Sequence, residues 1–339
     1  MQNFYRLSKA QRTRIFEQVS ARKALPVYAI EKDWWVVQTL RIVFGLDVAE
    51  HMVFKGGTSL SKAWKLIDRF SEDIDLTLDK KVLGIDQVQT KRQVKTLRSK
   101  SKKYISGEFF PSLKEAFHSA GFNDVKMQIA EKTENDPLTI EMYYPNIVKY
   151  PGYIKPRILI EIGCRSLKEP FAEKTITSFV TEIFHEQDFA DTPITIPSAL
   201  PERTFLEKIF LLHEEFQKEI IRANRLTRHL YDIERIINTP YASSALGDHD
   251  LYQTIVQHRR LLFSVSSVDY DLHQPQTLRF TPPNTLMKEW EQDYNQLTES
   301  MIYGEKLSWN ELIGRLEEFS KIINKLDFNK CSPSNKHMK

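Results

Sequence analysis

Cysteine is almost absent from this 339-residue chain: Cys164 and Cys331 are the only two. Two thiols cannot build a disulfide framework or a four-thiolate zinc site. Cys164 follows an apolar run and reads as a small buried residue, whereas Cys331 lies in a polar tail. Glycine is sparse as well, with 11 residues, which excludes a collagen-like chain. Apolar stretches such as Trp34-Trp35-Val36-Val37 fall far short of the roughly 18 residues a membrane helix needs. The first residues, Met1-Gln-Asn-Phe-Tyr-Arg, lack the apolar core of a secretory signal. The expectation is a cytoplasmic protein in a reducing compartment, with no membrane partner. The nine histidines show no metal-binding spacing, and there is no internal repeat. A net charge of +3 does not by itself imply a nucleic-acid partner, so local clustering has to carry any electrostatic case.

What is present is the composition of an ordinary globular protein, 41% hydrophobic and 27% charged, long enough for about two domains. Residues 6–45 read as helical with a break at Pro26. Residues 53–66 read as a glycine-broken turn leading into a helix, and 91–121 as mostly helical. Residues 73–78, Asp-Ile-Asp-Leu-Thr-Leu, alternate strictly and predict a strand. Residues 123–130, 138–144 and 157–162 predict three more. The segment from Thr192 through Pro193 and Pro197 to Pro201 reads as a linker or edge segment. Beyond it helical periodicity dominates, with one stripe at Phe205, Ile209, Leu212 and Phe216 and another at Leu226, Leu230, Ile233 and Ile237. Two further helices are expected over 284–301 and 309–326, the last opened by a capping box at Ser308 and Glu311. The expected architecture is α+β: a mixed-sheet core with flanking helices over 1–190, a helical domain over 191–327, and a tail over 328–339.

The chemistry concentrates in Phe54-Lys-Gly-Gly-Thr-Ser-Leu-Ser-Lys62 and Arg69-Phe-Ser-Glu-Asp-Ile-Asp-Leu76. Gly56 and Gly57 permit a tight turn and close backbone approach to a ligand. Thr58, Ser59 or Ser61 can cap the helix that follows, and helix N-termini favour phosphate. Asp73 and Asp75 stand two apart on a strand, so both carboxylates leave one face while Ile74, Leu76 and Leu78 leave the other. Two adjacent carboxylates repel, and a divalent cation relieves that repulsion. Hard Mg²⁺ suits such a pair when substrate phosphates complete its shell. Either feature alone is commonly structural; their order, with a helix between, points to nucleotide chemistry.

This stretch resembles the AbiEii/AbiGii nucleotidyltransferase toxin family of the DNA polymerase β-like nucleotidyltransferase superfamily. Glu31-Lys-Asp-Trp-Trp35 is similar to the family's N-terminal element, Lys208 in Glu207-Lys-Ile to its helical lysine motif, and Arg228-His-Leu-Tyr-Asp232-Ile to its Arg-x-x-Tyr-Asp-Leu motif, with Ile233 in place of leucine. The resemblance spans about residues 28–235. It implies a nucleotidyltransferase-type mixed sheet and transfer of a nucleotidyl group from an NTP with Mg²⁺ or Mn²⁺. The acceptor it favours is RNA, specifically tRNA, and it implies action as the toxin of a toxin–antitoxin or abortive phage-infection system with a cognate antitoxin encoded nearby. Transfer to a protein or small molecule, or a non-catalytic nucleic-acid-binding role, are the alternatives. In the superfamily a Gly-Ser pair precedes the two acids by about ten residues. Here the pair is Gly57-Thr58, with 14 residues before Asp73, so either Thr58 or Ser59 takes the hydroxyl role.

On this reading Asp73, Asp75, Lys208 and Asp232 are catalytic, with Asp73 and Asp75 holding the metal and Glu161 a third ligand. Gly56, Gly57, Thr58, Ser59, Arg69 and Arg228 bind the nucleotide. Asp232 orients either Lys208 or the nucleotide, and both would line one cleft with the aspartates. Simpler readings compete: Glu161 as a partner for Arg157 or Arg165, Lys208 as a surface charge, and Arg228 with Asp232 as a surface ion pair four residues apart. Lys62 and Lys65 read as solvated lysines, and the two tryptophans as core. The run from Lys91 to Lys103, seven basic residues in thirteen without an acid, reads equally as an RNA-backbone contact or a solvated helix face.

Overall fold

A computed structural model describes residues 3–71, 73–131, 136–151 and 155–327. Cys331 and the expected tail lie outside the described residues. The chain divides into two compact units, one ending at Leu200 and one beginning at Pro201.

The first unit runs α1 (Asn3–Arg6), α2 (Lys9–Lys23), α3 (Val27–Val43), β1 (Met52–Lys55), α4 (Gly56–Lys62), β2 (Asp73–Leu78), α5 (Lys91–Tyr104), α6 (Phe110–Ser119), β3 (Lys126–Ile129), β4 (Leu138–Tyr143), β5 (Arg157–Gly163), β6 (Phe171–Ile176), α7 (Phe179–Ile183) and β7 (Ile194–Ala199). Its seven strands form one mixed sheet in the order β3-β4-β5-β2-β1-β7-β6. Pairs β2–β5 and β1–β7 are parallel, and the others are antiparallel. Thus the expected mixed-sheet α+β core is present. The segment read as a linker is instead β7, paired to β1 and β6, so the first unit extends to Leu200 rather than ending at 190.

Register explains which face is buried. Ile74 stands opposite Ile160, and Leu76 opposite Ile162; on the far side of β5, Ile140 faces Ile160 and Met142 faces Ile158. All are buried, each apolar side chain contributing roughly 1.5–3 kcal/mol. Helix α3 packs on β5. Trp35 stacks on Tyr144 at 5.2 Å, and the Trp34 indole donates to Asp191 at 2.7 Å, so both tryptophans are core.

Helix α3 is unusual in burying three consecutive charges, Glu31, Lys32 and Asp33. Glu31 accepts the Ile147 amide at 2.8 Å, and Lys32 donates to the Lys155 carbonyl at 3.1 Å. Burial pushes the Glu31 carboxyl up to about 7, against an ordinary 4.5. The native state therefore binds the proton more tightly than the unfolded chain. Stability falls as pH rises from about 4.5 to about 7, by roughly 3 kcal/mol. Glu31→Gln keeps an acceptor but cannot ionise, so chemical denaturation at pH 5 and pH 7.5 should show that decline flattened. An unchanged decline would assign the carboxyl an ordinary titration.

The second unit is helical: α8 (Pro201–Glu215), α9 (Thr227–Ile237), α10 (Pro240–Gly247), α11 (His249–Leu262), α12 (Met287–Ser300) and α13 (Trp309–Ile323). Helix α9 packs on α8, α12 and α13. Ser308 and Glu311 form the expected capping box. Arg259 reaches Glu214 with two nitrogens at 2.5 and 2.6 Å, and the His273 ring lies 3.2 Å from the same carboxylate. No helix among the described residues is long and apolar enough to cross a membrane.

Candidate active site

Strand β2 puts Asp73 and Asp75 on the sheet face opposite the core, both half-buried, while Ile74 and Leu76 are sealed beneath. Lys55 on β1 and Glu161 on β5 stand beside Asp75 in register. Glu161 therefore shares the aspartates' face. Of the two arginines read as alternative partners, Arg157 bonds Glu141, and Arg165 lies 4.0 Å from Asp136.

The glycine pair opens α4 rather than preceding it. Lys55 is the N-cap and makes no side-chain cap bond, so Thr58 and Ser59 lie inside the helix and do not cap it. Gly56 adopts φ +77°, and a methyl group there would overlap the Asp75 Oδ2. Its bare Cα lets the carboxylate rest against the turn. Gly57 does the same for Arg69, whose buried guanidinium a Cβ on Gly57 would displace. Thr58 is buried and its hydroxyl meets Ser71 Oγ at 2.8 Å and the Asp73 carbonyl. It thereby ties the helix start to the start of β2. Ser59 is equally buried, and its hydroxyl has no hydrogen-bond partner among the described residues.

Gly56→Ala should therefore cost more than backbone strain. Left-handed backbone costs a non-glycine residue roughly 1–2 kcal/mol, and here Asp75 must also move. Gly84 offers the control, with φ +65° and open space around its Cα. Gly84→Ala should lose a comparable increment of stability and keep full activity, whereas Gly56→Ala should lose at least about tenfold in transfer, one decade being about 1.4 kcal/mol. Equal activity of the two variants would detach Gly56 from Asp75.

Sequence reasoning missed the anchor of α4. Lys62, expected in solvent, is buried and bonds Asp33 at 2.6 Å. Its ammonium lies 4.1 Å from the Phe179 ring centroid, and Asp33 also accepts the Phe179 amide at 2.7 Å. Three charges in a dense apolar helix were the available signal, since buried charges require partners. Lys65, by contrast, is solvated, with its side chain 72% exposed.

In the second unit, Lys208 on α8 and Asp232 on α9 form a buried ion pair at 2.8 Å. His229 Nδ1 lies 3.3 Å from the same ammonium. Lys208 is thus no surface charge, and Asp232 is no member of a solvated pair with Arg228, which sits half-buried one turn away.

Whether these residues suit a divalent cation turns on the donor set. Asp73 and Asp75 offer hard oxygens on one face, with Gly56 leaving room at Asp75. That matches Mg²⁺ or Mn²⁺ held by one or two carboxylates and completed by substrate phosphates. No group of three or more His, Cys, Asp or Glu side chains that could hold an ion occurs among the described residues, and Glu161, read as a third ligand, stands beside Asp75 in register. Cys164 plays no part here: burial pushes its thiol up to about 12.

The sequence profile of the family "Nucleotidyl transferase AbiEii toxin, Type IV TA system" matches residues 41–324. The match runs well past residue 235, through most of the helical unit, and leaves Glu31–Trp35 outside. A comparison with curated proteins gave no match. Among solved structures, MenT4, a nucleotidyltransferase toxin from Mycobacterium tuberculosis, superposes with a TM-score of 0.53 at 14% identity. The superposition covers 96% of this chain and 92% of that one, a likeness of fold.

Proposed function

The chain belongs to the AbiEii nucleotidyltransferase toxin family of type IV toxin–antitoxin systems, and from that membership we propose that it is a cytoplasmic, divalent-metal-dependent enzyme that moves a nucleotidyl group from an NTP to tRNA. The observation that carries this reading is the placement of Asp73 and Asp75 on one face of β2, with the Gly56 turn fitted against Asp75.

An acceptor hydroxyl loses its proton to water as its oxygen attacks the α-phosphorus, the bond from that phosphorus to the bridging oxygen breaks, and pyrophosphate leaves. Asp73 and Asp75 would hold Mg²⁺ or Mn²⁺, which when bound neutralises phosphate charge and favours the attacking alkoxide. Gly56 and Gly57 let Asp75 and Arg69 rest against the turn that would bind the nucleotide, Thr58 fixes the start of β2, and Ser59 and Arg69 support the same turn. Family membership supports Lys208 of the second unit as a phosphate-binding point charge. Asp232 orients that lysine, and Arg228 adds positive charge beside it. The biological consequence is growth arrest, relieved by the cognate antitoxin, in abortive phage infection.

The test is to incubate the purified protein with each α-labelled NTP in a bacterial lysate, then treat with ribonuclease or protease. Label that ribonuclease releases and that migrates with tRNA is the expected result. Protease-sensitive label, or label on small molecules only, would replace tRNA as the acceptor.

A further inference from the structure

The basic run identified in the sequence forms α5, and the helix shows which of its charges face water. Val94, Leu97 and Ser101 are buried. Arg98 is half-buried, within electrostatic reach of buried Asp136. Lys91, Arg92, Lys95, Lys100, Lys102 and Lys103 are all exposed. The turn at Lys80–Leu83 packs on this helix, and Lys100 donates to the Leu83 carbonyl at 3.2 Å, so Lys80 and Lys81 extend the same basic region. Asp79, the acid next to that turn, is already engaged by the Lys81 amide at 3.0 Å and by Lys168 at 3.6 Å.

An ordinary solvated helix interleaves signs, so that neighbours three and four apart attract. Here Lys91 and Lys95 are like charges four apart, and Arg92 and Lys95, or Lys100 and Lys103, are like charges three apart. Lys91 and Arg92 also occupy the first turn, where the helix dipole disfavours cations, and no acid accompanies them. Both arrangements oppose the helix's own stability. Such violations of local preference are expected where an external ligand compensates them. A row of exposed cations with no acid in its own helix is complementary to a phosphodiester backbone, each neutralised phosphate releasing condensed counterions.

We propose that the exposed face of α5, together with Lys80 and Lys81, is the docking surface for the phosphate backbone of an RNA acceptor. The inference rests on the transferase reading for its choice of polyanion and adds the place where that polyanion lies. Lys80 follows β2 at its far end, roughly 15 Å along the chain from Asp75 at strand rise. The surface therefore holds RNA several phosphates away from the reacting hydroxyl and confers affinity without touching the NTP.

The experiment uses the full chain and unfractionated bacterial tRNA, with RNA affinity measured across a salt series. The quadruple variant Lys91→Gln, Arg92→Gln, Lys95→Gln, Lys103→Gln keeps good helix formers. Lys288→Gln, Lys306→Gln, Lys321→Gln and Lys325→Gln, exposed residues of the second unit, form the control. Thermal melting verifies that both fold. The α5 variant should lower the slope of log affinity against log salt by about three and weaken binding at 0.1 M salt at least about tenfold, leaving the KM for NTP unchanged. The control should match wild type. Equal slopes for α5 variant and wild type, no RNA binding by wild type, or loss of binding to an acidic protein partner with RNA affinity intact would each overturn the proposal. Binding is read without turnover: RNA bound through α5 but never labelled would sink the transferase reading and leave the docking surface standing.

Discussion

Asp75→Asn is expected to abolish nucleotidyl transfer while leaving a folded protein of wild-type or slightly greater stability. The carboxylate lies on the open face of β2 and its loss removes no core contact: the strand is held by Ile74 and Leu76 beneath and by pairing to β1 and β5. Asp73 and Asp75 repel each other when no cation is present, so neutralising one relieves the folded state. In turnover the balance reverses. A metal held by two carboxylates contributes several kcal/mol of charge stabilisation in the transition state, about three powers of ten in rate. Asp73→Asn should behave in the same way. Parallel melting curves and single-turnover transfer rates check both halves of the expectation. A folded Asp75→Asn protein with a tenth or more of wild-type activity would remove Asp75 from the reaction.

Lys208→Ala should do the opposite to stability. It takes the lysine away from a carboxylate with no measurable exposure. Breaking a buried ion pair from one side costs about 3–5 kcal/mol. Lys208→Ala with Asp232→Ala removes both charges and should recover most of that loss. If the pair is only structural, the double variant recovers activity along with stability. If Lys208 serves the triphosphate, the double variant is stable and remains inactive. Lys208→Arg should restore activity only in part, because a planar fork does not occupy the same point. Full activity in the stable double variant would contradict the assignment.

The parts of the fold and site legible in the sequence are those where one physical signal dominates. Strand β2 announces itself by alternation, and its face follows from period two, which puts Asp73 and Asp75 on one side together. Strand β7 was hidden by Pro193, Pro197 and Pro201, which read as a linker. Pro197 is tolerated inside the sheet because β7 meets β1 only at Phe54 and Ser198, leaving little demand for its missing N–H. Lys62 and Asp33 were hidden because a lysine ending a short helix is ordinarily solvated, and only the tertiary fold brings its partner from α3. Asp232 illustrates the same limit. Arg228 is its neighbour by helical spacing, and the tertiary fold adds an ion pair with Lys208 on a different helix. Local spacing predicts local pairs, and buried charges choose partners by tertiary position.

The central claim is that two strand-borne aspartates make this chain a metal-dependent nucleotidyltransferase. The most direct measurement is transfer of α-labelled NTP to RNA by wild type and by the Asp73→Asn, Asp75→Asn double variant, with Mg²⁺ and with excess EDTA. Label is expected only with wild type in Mg²⁺. Label in the folded double variant, or undiminished label in EDTA, would contradict it.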